Sequence, residues 1–490
     1  MKRTTIGIAA IIAIVGAAAF VGAVAIARAM LVPAPVEASA PPPPPIDPNL
    51  AAAHLAQALR FQTVSYGNGV KEKERSAALQ EMHTWMERTY RYLHEAAPQE
   101  QFGESLLFVW RGTDENLAPV LLMAHLDVAP VMPGTEKDWT HAPFSGDIAD
   151  GFVWGRGAFD DKSSAIALLE AGERLAASGF QPRRTIMFAL GEDAEAGGKG
   201  NAAIARALQS RGVHFAWVLD EGTPILNQPY PGVTTPVAFV SVAEKGFVSL
   251  ELVAKAESGQ AARPVREPAA ARLDDAIKAV LNRPFVSDLD DIQRAKIEVL
   301  APLAPFNERI KLANLWLLKS MVVGAMESNA ETAGILGTTI VATNARTEGK
   351  ESVAAPAARA VINVHTHQRD NIDSVIAHVK QAINNPNVDV KVLGETQSQA
   401  SKVVDLGSRA YTYISREIAA NFAVPVAPDL MPAATDSRHY LPVADAVLRF
   451  RPFPADASDL SRVHGTNERV AVSDLGPAVG FYMRLIQEPQ

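Results

Sequence analysis

Val120-Leu-Leu-Met-Ala-His-Leu-Asp127 is an apolar run that stops at a histidine and an aspartate, and two further runs end in a similar way. Thr185-Ile-Met-Phe-Ala-Leu190 leads to Glu192-Asp193-Ala194-Glu195, and Phe215-Ala-Trp-Val-Leu219 leads to Asp220-Glu221-Gly222. Short apolar runs separated by amphipathic helical patterns are the mark of βαβ units and a mostly parallel sheet. In open α/β sheets, ligands gather beyond the carboxyl ends of the strands. One polar strand end is ordinary. Three that carry acids and a histidine, with Gly155-Arg-Gly-Ala-Phe-Asp-Asp-Lys162 beside them, describe a site.

The alternation extends outward from these runs. Helical patterns over 161–178 and 201–211 flank a strand pattern over 184–190, and the rhythm holds from about Leu50 to Val242. Near Val240 to Leu252 it changes to strict strand alternation. A helix over 274–281, a strand over 358–364 and a helix over 372–383 then predict a smaller α+β domain. Leu300 to Ala325, with Trp316 inside it, reads as a packed helical insertion. From about Gly394 the chain returns to helix and strand signals that carry His439 and His464. The expected layout is therefore 1–31 anchor or signal segment, 32–48 proline-rich linker, 49–246 first part of the catalytic domain, 247–393 inserted domain, and 394–490 second part.

Composition narrows the chemistry. The chain has 490 residues, net charge −8 and no cysteine, so thiolate zinc sites, cysteine nucleophiles and disulfides are excluded. Mixed charges without a basic stripe, and no phosphate loop, argue against a nucleic-acid partner. At the amino terminus, Lys2 and Arg3 precede an uncharged stretch from Ile6 to Ala27. At ~1.5 Å per residue that stretch can cross a ~30 Å hydrocarbon layer. The basic residues predict a cytoplasmic amino end, hence a membrane-anchored chain whose body is extracytoplasmic. The alternative is a signal peptide cleaved near Ala27-Arg28-Ala29, giving a secreted body. Pro33 to Pro45 reads as an extended polyproline stalk holding the body off the membrane.

Any metal must then be held by His, Asp and Glu. In His125-x-Asp127 the carboxylate can accept the second ring N–H and fix the imidazole tautomer. Asp160 is the natural carboxylate to bridge two ions ~3.5–4 Å apart. Glu195 and Asp220 would close the outer sides, His125 would serve one ion, and a distant histidine the other. Two divalent ions are expected, zinc suiting the donor set best, with cobalt or manganese as alternatives.

The stretches His125-Leu-Asp-Val128, Trp139-Thr-His-Ala-Pro-Phe-Ser-Gly146, Gly151 to Lys162, Val218-Leu-Asp-Glu-Gly222, Ala243-Glu-Lys-Gly246, Thr435-Asp-Ser-Arg-His-Tyr440 and Val463-His-Gly-Thr-Asn-Glu468 strongly resemble the two-zinc aminoacylase and carboxypeptidase metallopeptidase family. The nearest branch looks like that of vacuolar carboxypeptidase S and the N-acyl-amino-acid hydrolases. The resemblance implies His125, Asp160 and Asp220 for one metal, Asp160, Glu195 and His464 for the other, and Asp127 orienting His125. It also implies that 247–393 is a lid and dimerisation domain. The partners would be a small peptide or N-acyl amino acid and a second copy of the chain. Substrate contacts would fall to Gln260, His365, Arg438 and His439.

Departures from the family pattern matter as much. The family's general-base glutamate is replaced by Ala194, next to the retained Glu195. The lid's Gly-His pair reads Gly259-Gln260, and the substrate-carboxylate asparagine and arginine read Ser352 and His365. Glu192 is the nearest acid that could stand in as base, and His365 with His367 could form a weaker anion site. A missing base costs on the order of 10²–10⁴ in rate and a missing polarising donor another ~10²–10³. The sequence therefore predicts a weak hydrolase or a catalytically silent metal-binding or partner protein on the same fold.

Overall fold

The computed structural model describes residues 2–34, 46–67, 69–256, 259–260, 267–347, 353–394 and 397–487. Most of the expected stalk, Pro35 to Pro45, and Ser352 lie outside them. The expected run of strands assembles into one large sheet. Its order is Gln99–Phe102, Ser105–Trp110, Ile186–Gly191, Val120–His125, Trp217–Asp220, Val447–Arg449, Val237–Glu244, Ile225–Leu226 and Pro454–Ala455, with Val426–Met431 also paired to Val237–Glu244. Val120–His125 runs parallel to both its neighbours, Val447–Arg449 parallel to Trp217–Asp220, and the antiparallel pairs gather toward the two sides. The fold is thus α/β with a large, mostly parallel sheet. Residues of Val120–His125 are buried along the whole strand, as a sheet covered on both faces requires.

Helix Lys162–Ala177, one residue inside the expected range at each end, packs with the carboxyl-terminal helix Val472–Ile486 on this sheet. The carboxyl-terminal segment therefore re-enters the layer that the first half of the chain began. A second, four-stranded antiparallel sheet has the order Thr339–Thr347, Ala357–Thr366, Gly246–Lys255, Val388–Val392. Burial alternates along Ala357–Thr366, so one face is apolar. Helices Ala269–Leu281 and Ile372–Ile383 cover that face through Leu273, Val375 and Val379, against Leu250, Leu252 and Ile362.

Two features depart from the sequence reading. The range 247–393 does not share one core: Leu289, Ile297, Leu300, Leu312, Val322 and Leu336 join the large-sheet core instead. Helix Asp291–Leu300 packs on Val426–Met431, where buried Lys296 Nζ donates to Asp429 Oδ1 at 3.0 Å. The second departure concerns the amino terminus. The one described helix with the length and hydropathy to cross a membrane, Lys2–Met30, fits either a signal anchor or a signal peptide. Its end is not held away from the body: Asn314 Nδ2 donates to the Ala25 carbonyl at 2.9 Å, and Ala25 and Ala29 are buried.

Candidate metal centre

Because Val120–His125 lies between Ile186–Gly191 and Trp217–Asp220, the three acid-bearing strand ends are neighbours. Asp160 reaches the same place from the loop before helix Lys162–Ala177. Two ligand groups result, His125 with Asp160 and Glu221, and Asp160 with Glu195 and His464. His125 Nε2 lies 3.5 Å from Asp160 Oδ1 and 3.6 Å from Glu221 Oε1. His464 Nε2 lies 3.2 Å from Asp160 Oδ2 and 2.9 Å from Glu195 Oε1. Donors ~2.0–2.1 Å from a tetrahedral zinc are themselves about 3.3 Å apart, so both triplets fit an ion. Asp160 turns one oxygen to each group, as a bridging carboxylate must.

The surrounding residues fix this geometry. Buried Asp127 accepts from the backbone N–H groups of Ala194 and Glu195, at 3.1 and 3.2 Å, and so anchors the Glu195 turn. Its carbonyl lies 3.0 Å and its carboxylate 3.3 Å from His125 Nδ1, which leaves Nε2 for the ion. Glu468, fully buried, accepts from Arg156 Nη1 and from the backbone N–H groups of Gly157, Phe159 and Asp160, and holds the loop that presents Asp160. His464 has φ of 58°, a left-handed conformation that non-glycine residues seldom adopt, here at the very residue that meets Glu195 and Asp160.

One expected ligand is replaced. Asp220 is the last residue of its strand and turns away from the cluster, accepting from Ser437 N at 2.8 Å and from Glu221 N at 2.9 Å. Successive residues leave a strand on opposite faces, so Glu221 faces His125 instead. Buried Arg451 was also missed. Its guanidinium donates to Asp160 Oδ1 at 2.6 Å, to Glu221, and approaches Asp161. It neutralises part of the charge that burial would otherwise make costly. Burial opposes ionisation of Asp160, yet Arg451 and the two histidines outweigh it and hold the carboxyl well below its usual range. His464 is pushed up to about 10 by its hydrogen bonds to Asp160 and Glu195, so an ion entering there must displace a proton.

The remaining expected residues lie elsewhere. Glu192, the candidate base, has its carboxylate facing Arg75 at 3.7 Å and the Gly103 turn, and it belongs to neither group. Arg438 donates to Gly197 O and Thr435 O, bracing the turn behind Glu195. His439 has a buried Nε2 with no hydrogen-bond partner among the described residues, and burial together with Arg438 and Arg206 lowers its pKa to about 4. His365 is half-buried against Phe247 in the small sheet. His367 Nε2 lies 3.1 Å from Asp290 Oδ2, so a carboxylate already fills the place proposed for an external anion. Gln260 sits on the short strand Gly259–Gln260, paired with Val353–Ala354.

Two groups of side chains that could hold metal and that share Asp160, at the carboxyl edge of a mostly parallel sheet, fit a metal-dependent class of protein. Residues 121–488 match the model described as Peptidase family M20/M25/M40, and the chain belongs to that family. It is 32% identical over 444 residues to probable carboxypeptidase S-like 2 of Dictyostelium discoideum, covering 90% of this chain and 85% of that protein. It is 33% identical over 440 residues to the N-fatty-acyl-amino acid synthase/hydrolase PM20D1 of Mus musculus, covering 88% and 86%. In fold it is similar to an M20 family metallo-carboxypeptidase from Sulfolobus solfataricus, with TM-score 0.67 and 15% identity over 89% of this chain and 98% of that one. It is likewise similar to human carnosine dipeptidase 1, with TM-score 0.64 and 14% identity over 91% and 100%.

Proposed function

We propose that the chain hydrolyses the amide bond of N-acyl amino acids or small peptides at a pair of zinc ions, and does so slowly because position 194 lacks a carboxylate. The observation that carries the reading is the division of the two Asp160 oxygens between His125 and His464. Two ions held there supply Lewis-acid polarisation of the amide carbonyl and ionisation of water near neutral pH. The chain's own residues orient that chemistry. His125 is set by Asp127, Asp160 by Glu468, and Glu195 by Asp127 and Arg438. Without an acid at 194, proton transfer from water to the leaving amine passes through solvent, and the ~10²–10⁴ that a positioned base supplies is forgone. The names of the curated relatives support the substrate class.

A second reading, a metal-binding protein without turnover, is favoured by one observation: Glu192, the acid nearest position 194 that could replace the base, faces Arg75. Metal analysis of the purified chain with a screen of N-acyl amino acids and dipeptides separates the two. Bound metal with no hydrolysis of any of them selects the second. We further propose a homodimer through the small-sheet domain, supported by the family resemblance, and an uncleaved amino-terminal anchor with the body extracytoplasmic. A monomeric mass at micromolar concentration would remove the first. Recovery of a mature chain beginning after Ala29 would remove the second.

A further inference from the structure

The amino-terminal helix and the helical excursion Leu289 to Leu336 meet at one level. Charges bracket the apolar helix at Lys2, Arg3 and Arg28, so Arg28 marks the outer end of a span. Arg28 Nε donates to the carbonyl of Ala313 at 3.4 Å, and one turn earlier the Ala25 carbonyl accepts from Asn314. Ala313 and Asn314 are the short link between helices Phe306–Leu312 and Leu315–Glu327. That link therefore stands at the depth where hydrocarbon gives way to headgroups.

From that link, helix Leu315–Glu327 presents large apolar side chains to the outside. Trp316, Leu317 and Met321 are 56%, 46% and 57% exposed, while Val322 and Met326 on its other side are buried in the large-sheet core. Trp316 is tied to the anchor: its indole N–H donates to Asn314 Oδ1, whose amide holds the Ala25 carbonyl. Met30 and Leu31, at the end of the anchor helix, are exposed as well. A tryptophan next to a cationic residue, where a span ends, matches what the membrane–water interface selects.

We infer that helix Leu315–Glu327 is a membrane-seated platform that inserts Trp316, Leu317 and Met321 into the lipid leaflet beside the anchor and fixes the body against the bilayer. The occupant of this face is phospholipid. The inference rests on the anchor reading, and its test separates the two.

The absence of cysteine allows single-site labelling of the full chain. Leu317→Cys, Met321→Cys, Val15→Cys in the anchor and Val70→Cys, an exposed position ahead of helix Glu72–Thr89, would each carry an environment-sensitive fluorophore. The labelled chains are reconstituted in phosphatidylcholine vesicles containing a minority of phosphatidylglycerol, with and without nitroxide-bearing lipid. Expected are blue-shifted emission at 317 and 321 and quenching several-fold stronger than at 70, with 15 quenched as well. Quenching at 15 with water-like emission at both 317 and 321 would overturn the platform and leave the anchor standing. Water-like emission at 15 would overturn the anchor, and the platform with it.

Discussion

Adjacent acids at one strand end provide a sharp test, because Asp220 and Glu221 differ only in which face they leave by. Glu221 would supply one of three donors to an ion beside His125, its Oε1 lying 3.6 Å from His125 Nε2. Glu221→Ala should therefore lower affinity for one ion by more than the ~10–100-fold typical of an outer-shell change, and leave the Asp160, Glu195 and His464 triplet loaded. Asp220 instead accepts two backbone N–H groups in a buried setting. Hydrogen bonds to a charged group contribute about 1.5–3 kcal/mol each, and Asp220→Asn keeps one of the two acceptors. The expected loss is about 1.5–3 kcal/mol, a fall in Tm of several degrees with metal content unchanged. Elemental analysis after mild dialysis and thermal melts of both variants are the assays. Loss of an ion from Asp220→Asn, with Glu221→Ala fully loaded, would refute the assignment.

Further outcomes follow from the same geometry. Asp160→Ala should empty both positions, whereas His464→Ala should empty one, and equal losses in elemental analysis would exclude a shared carboxylate. Ala194→Glu should raise hydrolysis of N-acyl amino acids by at most ~10²–10⁴, and combined with Gln260→His and His365→Arg should raise it further than alone. A wild-type rate equal to the triple variant's would mean the site is not disabled. His439 has a folded pKa near 4 against an unfolded value near 6.5, so the unfolded chain binds the extra proton between those values. Its contribution to stability is complete above pH ~6.5 and is lost as pH falls toward ~4. His439→Asn should flatten that part of a Tm-against-pH profile, and an unchanged slope would contradict it.

The sheet was legible because its strands are short apolar runs with polar ends; His125 ends one such strand and Glu195 follows another, whereas Asp160 joins them from the loop before helix Lys162–Ala177. Asp220 and Glu221 show the limit of that reading. Composition marks an acidic strand end, but only the last paired residue of Trp217–Asp220 decides which acid faces His125. Arg451 carried no signal, because Arg449-Phe450-Arg451 gives no hint of which guanidinium turns toward the metal groups. Glu468 lay inside a quoted motif, but its role as acceptor for the Asp160 loop depends on a chain separation of about 310 residues. Leu300 to Ala325 was legible as a helical insertion, but helix Asp291–Leu300 ahead of it was not read, and the packing of both on the large core depends on contacts such as Lys296 with Asp429 that no local pattern encodes.

Everything proposed for the site depends on Asp160 joining two metal positions in one centre. A crystal structure of the zinc-loaded chain, with anomalous differences collected at the zinc edge, tests it most directly. Two peaks about 3.5–4 Å apart are expected, with one Asp160 oxygen on each, His125 and Glu221 on the first, and Glu195 and His464 on the second. A single peak, or two peaks that Asp160 does not bridge, would contradict it.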